Sequence, residues 1–136
     1  MKCVDVVAGL IVQEGLLLVC QRNENGAFPL KWEFPGGKVE KEETHENALR
    51  RELKEELGIE ADKLSEIFRH RHNYSDKFAV NLRFYRVISF TGVITNFAFQ
   101  RLAWVGVDEL SGLDFLDGDL PLVNLLLSSQ GRILLA

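Results

Sequence analysis

Glu52, Glu55 and Glu56 stand at i, i+3 and i+4 within GKVEKEETHENALRRELKEELGI, residues 37–59. On an α-helix this spacing projects all three carboxylates from one face. Glu52 and Glu56 are then like charges one turn apart, which costs an isolated helix about 0.2–0.5 kcal/mol. A helix shaped only for solubility more often sets Lys or Arg four residues after Glu; Arg50 and Lys54 miss that register with Glu52. Hard divalent cations want oxygen ligands, and Mg²⁺ commonly takes one or two carboxylates together with substrate phosphates. A solvated acidic face accounts for the helix taken alone, so its neighbours decide. Pro35-Gly36-Gly37 precedes it as a tight loop. Glycine there lets backbone groups approach a phosphate or metal closely. Lys38 adds a phosphate partner. Arg51 lies beside Glu52 and is placed to orient its carboxylate by a charge-assisted bond, and Glu43 is placed to pair with Arg51.

The segment resembles the Nudix box, G-x5-E-x7-R-E-U-x-E-E-x-G-U with U a bulky aliphatic. Gly37, Glu43, Arg51, Glu52, Leu53, Glu55, Glu56, Gly58 and Ile59 fill every defined position. The surrounding apolar strands, the WEFPGGK run and a closing helix resemble the MutT-like branch. The resemblance implies an α/β (α+β) fold, a mixed β-sheet sandwiched by helices, with the box as loop-helix-loop. It implies a pyrophosphohydrolase in which water attacks the β-phosphorus of a nucleoside triphosphate and releases a monophosphate and pyrophosphate. By position, Glu52, Glu55, Glu56 and the carbonyl of Gly36 would hold Mg²⁺ or Mn²⁺, with Glu52 as ligand or base. Such cations neutralise phosphate charge and lower the pKa of an attacking water. Arg51 would act beside these carboxylates. Arg22 and Lys38 would bind phosphate oxygens, and Gly37, Glu43 and Gly58 would shape the box.

One departure stands out. MutT-like relatives often carry a further acid in the loop before the late strand, but TGVITNFAFQRLAWVGV holds no Asp or Glu, with Ala98 near the expected place. Either a box glutamate serves as base or catalysis is weaker. By position, Asp119 reads the base: an ionised carboxylate only accepts hydrogen bonds, which suits the N1-H and N2-H₂ of a guanine-type edge or the N4-H₂ of cytosine. Asp119 is equally well placed to cap the last helix. Phe34 and Phe78 are candidates to stack on a base, with a core role as the alternative. The resemblance favours an 8-oxo-dGTP diphosphatase serving nucleotide-pool sanitation and DNA repair. CTP or modified dCTP is the alternative substrate, and a non-catalytic nucleotide-sensing module the alternative class.

The elements that must position these groups read as follows. Val4–Val12 is a buried strand rich in β-branched residues, Glu14-Gly15 a turn, and Gly15–Arg22 a second strand pairing with the first as a hairpin. Asn23–Pro29 is a loop, and Leu30–Phe34 a short apolar-aromatic segment. A helix spans Thr44–Leu57, with Thr44 as N-cap, Ala48, Leu49, Leu53 and Leu57 as its apolar stripe, and Gly58 as a left-handed terminator. Strands follow at Ile67–Tyr74 and Phe78–Phe90 around Ser75-Asp76-Lys77, then at Leu102–Val107. Pro121 opens a helix to Ser128. Trp32 and Trp104 are read as core or sheet-packing residues. His70 and His72 share a strand face without an evident third ligand, and His45 is read as exposed.

The chain has 136 residues, 46% hydrophobic and 26% charged, as expected of one domain spanning 1–136. Its net charge of −4 argues against a nucleic-acid polymer as partner. A small anionic nucleotide remains compatible, because a site can be locally positive. Cys3 and Cys20 lie in apolar runs and read as buried thiols rather than a disulfide framework. The N-terminus has no signal-peptide pattern, and no segment approaches the roughly 20 apolar residues of a membrane span. The expected setting is cytoplasmic, as a monomer or homodimer.

Overall fold

The computed structural model describes residues 1–135. Ten strands and two α-helices follow in the order β1 Lys2–Leu10, β2 Val12–Gln13, β3 Leu16–Gln21, β4 Trp32–Glu33, β5 Gly36–Lys38, α1 His45–Leu57, β6 Glu60–Ala61, β7 Leu64–Ser75, β8 Phe78–Val87, β9 Phe90–Thr91, β10 Arg101–Val105 and α2 Leu120–Leu127. Short 3₁₀ turns occupy Val107–Gly112, Asp117–Asp119 and Gly131–Leu135. The main sheet has the order β5-β1-β8-β7. It is mixed: β1 runs parallel to β8, from Lys2 opposite Phe78 to Leu10 opposite Arg86, while β5 and β7 join antiparallel. A second sheet, β10-β3-β2, carries β4 on β3, and β6 pairs with β9.

Alternation along the strands divides the core in two, because successive side chains point to opposite faces. Val7 and Ile11 of the first strand region, and Tyr85 and Val87 of β8, pack with Ala48, Leu49, Leu53 and Leu57 of α1. Ala8 and Leu10, with Val80, Leu82 and Phe84, face the other way onto Leu122, Val123 and Leu126 of α2. The helices thus cover opposite faces of the sheet, in the α/β/α arrangement with a mixed sheet that the sequence implied. Thr44 caps α1, its Oγ1 accepting from Asn47 N at 3.1 Å. Gly58 ends it with φ 71° and donates its N–H to Lys54 O at 3.0 Å. No helix among the described residues is long and apolar enough to cross a membrane.

Several local expectations need correction. The first strand does not form a long hairpin with the second: β1 pairs with β5 and β8, and only Val12 and Gln13 lie against Leu17 and Leu16. A run of β-branched residues specifies a strand but not its partner. Cys3 is exposed while Cys20 is buried; Cys3 sits near the outer end of β1, before the strand enters the core. Of the two tryptophans, Trp32 is buried, while Trp104 takes the sheet-packing alternative, opposite Leu18 of β3 and 37% exposed. His45 is half-buried, with Nε2 3.9 Å from the carboxylate of Asp5. Helix α2 begins at Leu120, so Pro121 takes its second position.

Candidate active site

The box helix and β5 meet because α1 packs directly on the sheet beside the glycine turn. Gly36 N donates to Glu56 Oε1 at 3.1 Å, tying the turn to the helix one residue before the box begins. A Cβ on Gly37 would sit against the carboxylate of Glu52, 2.6 and 2.7 Å from its two oxygens. A side chain at residue 37 would therefore push the Glu52 carboxylate out of this position.

Arg51 organises the acids around it. Its Nε and Nη2 bond Glu43 Oε2 and Oε1 at 2.7 and 3.0 Å, and Nη2 also reaches Lys38 O at 3.0 Å. Nη1 bonds Glu52 Oε1 at 2.8 Å, with Glu55 Oε2 more distant at 3.5 Å. The fork geometry of guanidinium makes this division possible. The Arg51 bond and the Glu40 N–H hold the Glu43 carboxyl down at about 2, and the same contacts raise the guanidinium. Burial raises Glu52, against the pull of Arg51. Glu56 is driven higher, to about 9, by burial first and then by the charges of Glu52 and Glu33.

A cleft of about 270 Å³ opens beside these groups, lined by Gly36, Gly37 and Lys38 of β5 together with Phe28, Glu33, Tyr74 and Asp119. Asp119 reaches it because the backbone of residues 114–116 docks on Trp32: Trp32 N donates to Asp114 O, and Leu116 N to Trp32 O, both at 2.9 Å. The 3₁₀ turn Asp117–Asp119 then delivers the side chain inward. Asp119 is 4% exposed and accepts from Phe34 N at 3.1 Å. Burial, then the charge of Glu33, pushes its carboxyl up to about 8.

The structure brings most of the sequence-selected residues to this one region. Glu52 lies against Gly37 and Glu56 is bonded to Gly36 N, both glycines of the cleft lining, while Glu55 is largely exposed. Lys38 is exposed at the cleft edge, and Phe78 is half-buried in its lining. Arg22 lines it too, with Nη1 on Glu33 Oε2 at 2.9 Å and Nε on Ala27 O at 2.8 Å. Two open alternatives narrow. The Phe34 ring is buried against Phe84 and Phe115, with centroids 6.4 and 5.4 Å away, which favours its core role over stacking on a base, although it borders the cleft. Asp119 makes no side-chain cap to α2; its oxygen is committed to Phe34. Ala98 does border the cavity that holds Glu56 and Glu33, so the acid-free loop lies at the site. His70 and His72 stack on one face of β7, and no metal-holding cluster of His, Cys, Asp or Glu occurs among the described residues.

Sequence reasoning missed Glu33, Phe28 and Tyr74. Glu33 is raised by burial, and the Arg22 charge opposes that rise. A lone acid between Trp32 and Phe34 was the available signal. For Tyr74, whose hydroxyl accepts from Gly118 N at 3.3 Å, no local signal existed.

The NUDIX domain model matches residues 2–124 of the chain. The protein belongs to the Nudix family. It is 36% identical over 124 residues to the CTP pyrophosphohydrolase of Escherichia coli K12, covering 91% of each chain. It is 36% identical over 128 residues to the 8-oxo-dGTP diphosphatase of Haemophilus influenzae, covering 93% of each. The solution structure of the E. coli ORF135 protein superimposes with a TM-score of 0.81 at 35% identity, covering 91% of this chain and 88% of that one. Nudix hydrolases are generally dependent on divalent metal. The residues that would hold one are Glu52, Glu55 and Glu56 on one face of α1, oxygen donors of the kind a hard cation takes. Glu56 is raised by burial first and then by the charges of Glu52 and Glu33.

Proposed function

We propose that this Nudix protein is a nucleoside triphosphate pyrophosphohydrolase of the MutT kind, converting a nucleoside triphosphate and water to a monophosphate and pyrophosphate. Its class, a hydrolase acting on phosphorus anhydrides, follows from the family and from a box in which no defined residue is missing. The observation that carries the reading is the Arg51 fork, which holds Glu43 on one side and Glu52 on the other at the mouth of the cleft.

Glu52 and Glu56, with Glu55 at the solvent edge, would hold Mg²⁺ or Mn²⁺ together with the Gly36 carbonyl. When bound, such a cation neutralises phosphate charge and lowers the pKa of the attacking water. The chain's own residues do the rest. Arg51 fixes the rotamer of Glu52, the box acid that would serve as metal ligand or as base for the water attacking the β-phosphorus. Lys38 and Arg22 flank the phosphate path, and Arg22, with Nε on Ala27 O and Nη1 on Glu33, has Nη2 to offer an oxygen. Asp119 and Glu33 face the base.

The leading substrate is 8-oxo-dGTP or a related damaged nucleotide, met as a small molecule in the cytoplasm. CTP or a modified dCTP is the second reading, favoured by a specific observation: Asp119 and Glu33 together put two carboxyl groups in the lining of the cleft. A neutral carboxyl donates as well as accepts, so such a pair suits an edge like cytosine's, with an amino donor beside a ring-nitrogen acceptor.

The test is turnover of a panel with Mg²⁺, covering the common triphosphates, 8-oxo-dGTP and 5-substituted dCTP, with pyrophosphate and phosphate assayed separately. Pyrophosphate and monophosphate from one base class support the reading. Tight binding of one nucleotide with no turnover would instead indicate a sensor, with the acid-free loop at Ala98 as the cause.

A further inference from the structure

Phe28 lies on the exposed loop of residues 23–30 and is 46% exposed. Its backbone has φ 50°, and Leu30, two residues on, has φ 61°. Side chains with a Cβ rarely adopt this left-handed region, and such departures cluster at ligand clamps and switch segments. Glycine or asparagine would take the turn with less strain. A large apolar ring has been placed there instead, and it is not buried.

The ring is aimed at the cleft. Its centroid lies 5.3 Å from that of Tyr74, tilted by 43°, and the Arg22 guanidinium stands 6.0 Å from it on the loop side. The two sides of this aromatic contact are anchored differently. Tyr74 belongs to the long strand β7, with Gly118 N–H on its hydroxyl and His72 and Phe78 against its ring, at 4.5 and 6.1 Å. Phe28 belongs to a loop with no ladder of its own. The loop is held to the fold by Leu30 N to Arg22 O at 3.2 Å, Asn23 Nδ2 to Ala98 O at 2.7 Å and Arg22 Nε to Ala27 O at 2.8 Å. The Phe28 carbonyl accepts from Lys31 N at 3.3 Å, which leaves the Phe28 ring as the part outside the hydrogen-bonded frame. Phe28 is therefore the partner that can move. With the rings in contact, a flat ligand reaches the part of the Tyr74 ring that Phe28 covers by displacing Phe28.

We infer that Phe28 is the movable wall of the base pocket: it leaves Tyr74 to admit a nucleobase and closes on the base's opposite face. This rests on the nucleotide reading above and extends it to a residue that neither the box nor the acids identify. Aromatic faces stack on any base, so this contact supplies affinity, while Glu33 and Asp119 in the lining of the same cleft supply discrimination. Arg22 couples the loop to the site, because the guanidinium that holds Ala27 also holds Glu33.

The experiment compares wild type, Phe28→Ala and Phe28→Trp, with CTP and 8-oxo-dGTP as substrates and inorganic tripolyphosphate as a base-free competitive inhibitor. Loss of one base–aromatic stack raises KM for the better nucleotide roughly five- to a hundredfold in Phe28→Ala, with kcat little changed, as expected for uniform binding. Phe28→Trp restores KM, and the inhibition constant of tripolyphosphate is the same in all three. An unchanged KM in Phe28→Ala overturns the inference and leaves the enzyme reading intact. A rise in KM matched by an equal rise in the tripolyphosphate constant also overturns it, because the loop would then serve the phosphates. Failure of wild type to turn over any nucleotide overturns the enzyme reading and this inference with it.

Discussion

Arg51 grips Glu43 through two nitrogens, at 2.7 and 3.0 Å, and has one nitrogen left to hold Glu52 at 2.8 Å. The first pair fixes the plane of the guanidinium, and the plane fixes where Glu52 can point. Lysine carries a single point charge and cannot make both contacts. Arg51→Lys is expected to lose on the order of 10- to 100-fold in activity, the usual cost of removing a group that orients a metal ligand. Glu43→Gln should lose less, because it keeps one acceptor for the fork. The check is kcat and the Mg²⁺ concentration for half-maximal rate in both variants. Equal, full activity in Arg51→Lys would remove the orienting role.

Gly37 is constrained by space rather than by flexibility. In β5 it pairs with Val7, and the methyl of an alanine would overlap the Glu52 carboxylate. Gly37→Ala is expected to fold, since a strand accepts alanine, but to displace Glu52 from the Arg51 fork. A shift of about 1 Å in a positioned group can cost roughly 100-fold in rate. Circular dichroism near wild type with turnover reduced to that extent is the expected pair of results. Wild-type turnover would mean that Glu52 sits elsewhere during the reaction.

The box helix was legible because every cue there is local. Thr44, the stripe of Ala48, Leu49, Leu53 and Leu57, and Gly58 lie within one continuous segment, and the structure places each as its spacing implied. The rest of the cleft was not, because it is assembled across the chain. Asp119 looks like a helix cap when only its neighbours are known, yet its partner is Phe34 N, 85 residues away. Phe34 looks like a stacking ring until Phe84 and Phe115 are seen on it. Tyr74 gains its place from the β7–β8 register and from Gly118. The hairpin reading failed for the same reason: Val4–Val12 announces a strand, and only the distant β8 decides which sheet it enters.

Glu52 is the acid most closely framed by both Arg51 and Gly37. Glu52→Gln keeps the shape and one acceptor for Arg51 Nη1 but removes the charge. Turnover is expected to fall by about 10³-fold, within the range for loss of a positioned acid–base group. Melting temperature without metal should stay near wild type. Added Mg²⁺ should raise the melting temperature of wild type, because a ligand bound only by the folded state stabilises it, and raise that of Glu52→Gln much less. Near-normal turnover in the variant would count against the whole assignment of the acidic face.

Asp119 links the base pocket to pH. Its carboxyl is raised from 3.8 in the unfolded chain to about 8 in the folded one, by burial first and then by Glu33. Between those values the folded state holds a proton that the unfolded state has lost. Stability therefore falls as pH rises, by at most about 1.4 kcal/mol per pH unit for one proton. The contribution is complete below pH 4, declines from there to about 8, and is flat above. Glu33 and Glu56 are also raised by burial, so wild type should show a slope of the same sign even without Asp119. Asn keeps an acceptor for Phe34 N and has no proton to lose. Asp119→Asn should accordingly flatten the pH dependence of unfolding free energy by one proton's worth, measured by urea titration across pH 5–8 in the absence of metal. An unchanged slope in the variant would show that Asp119 is already ionised where it sits, and that it presents only acceptors to the base.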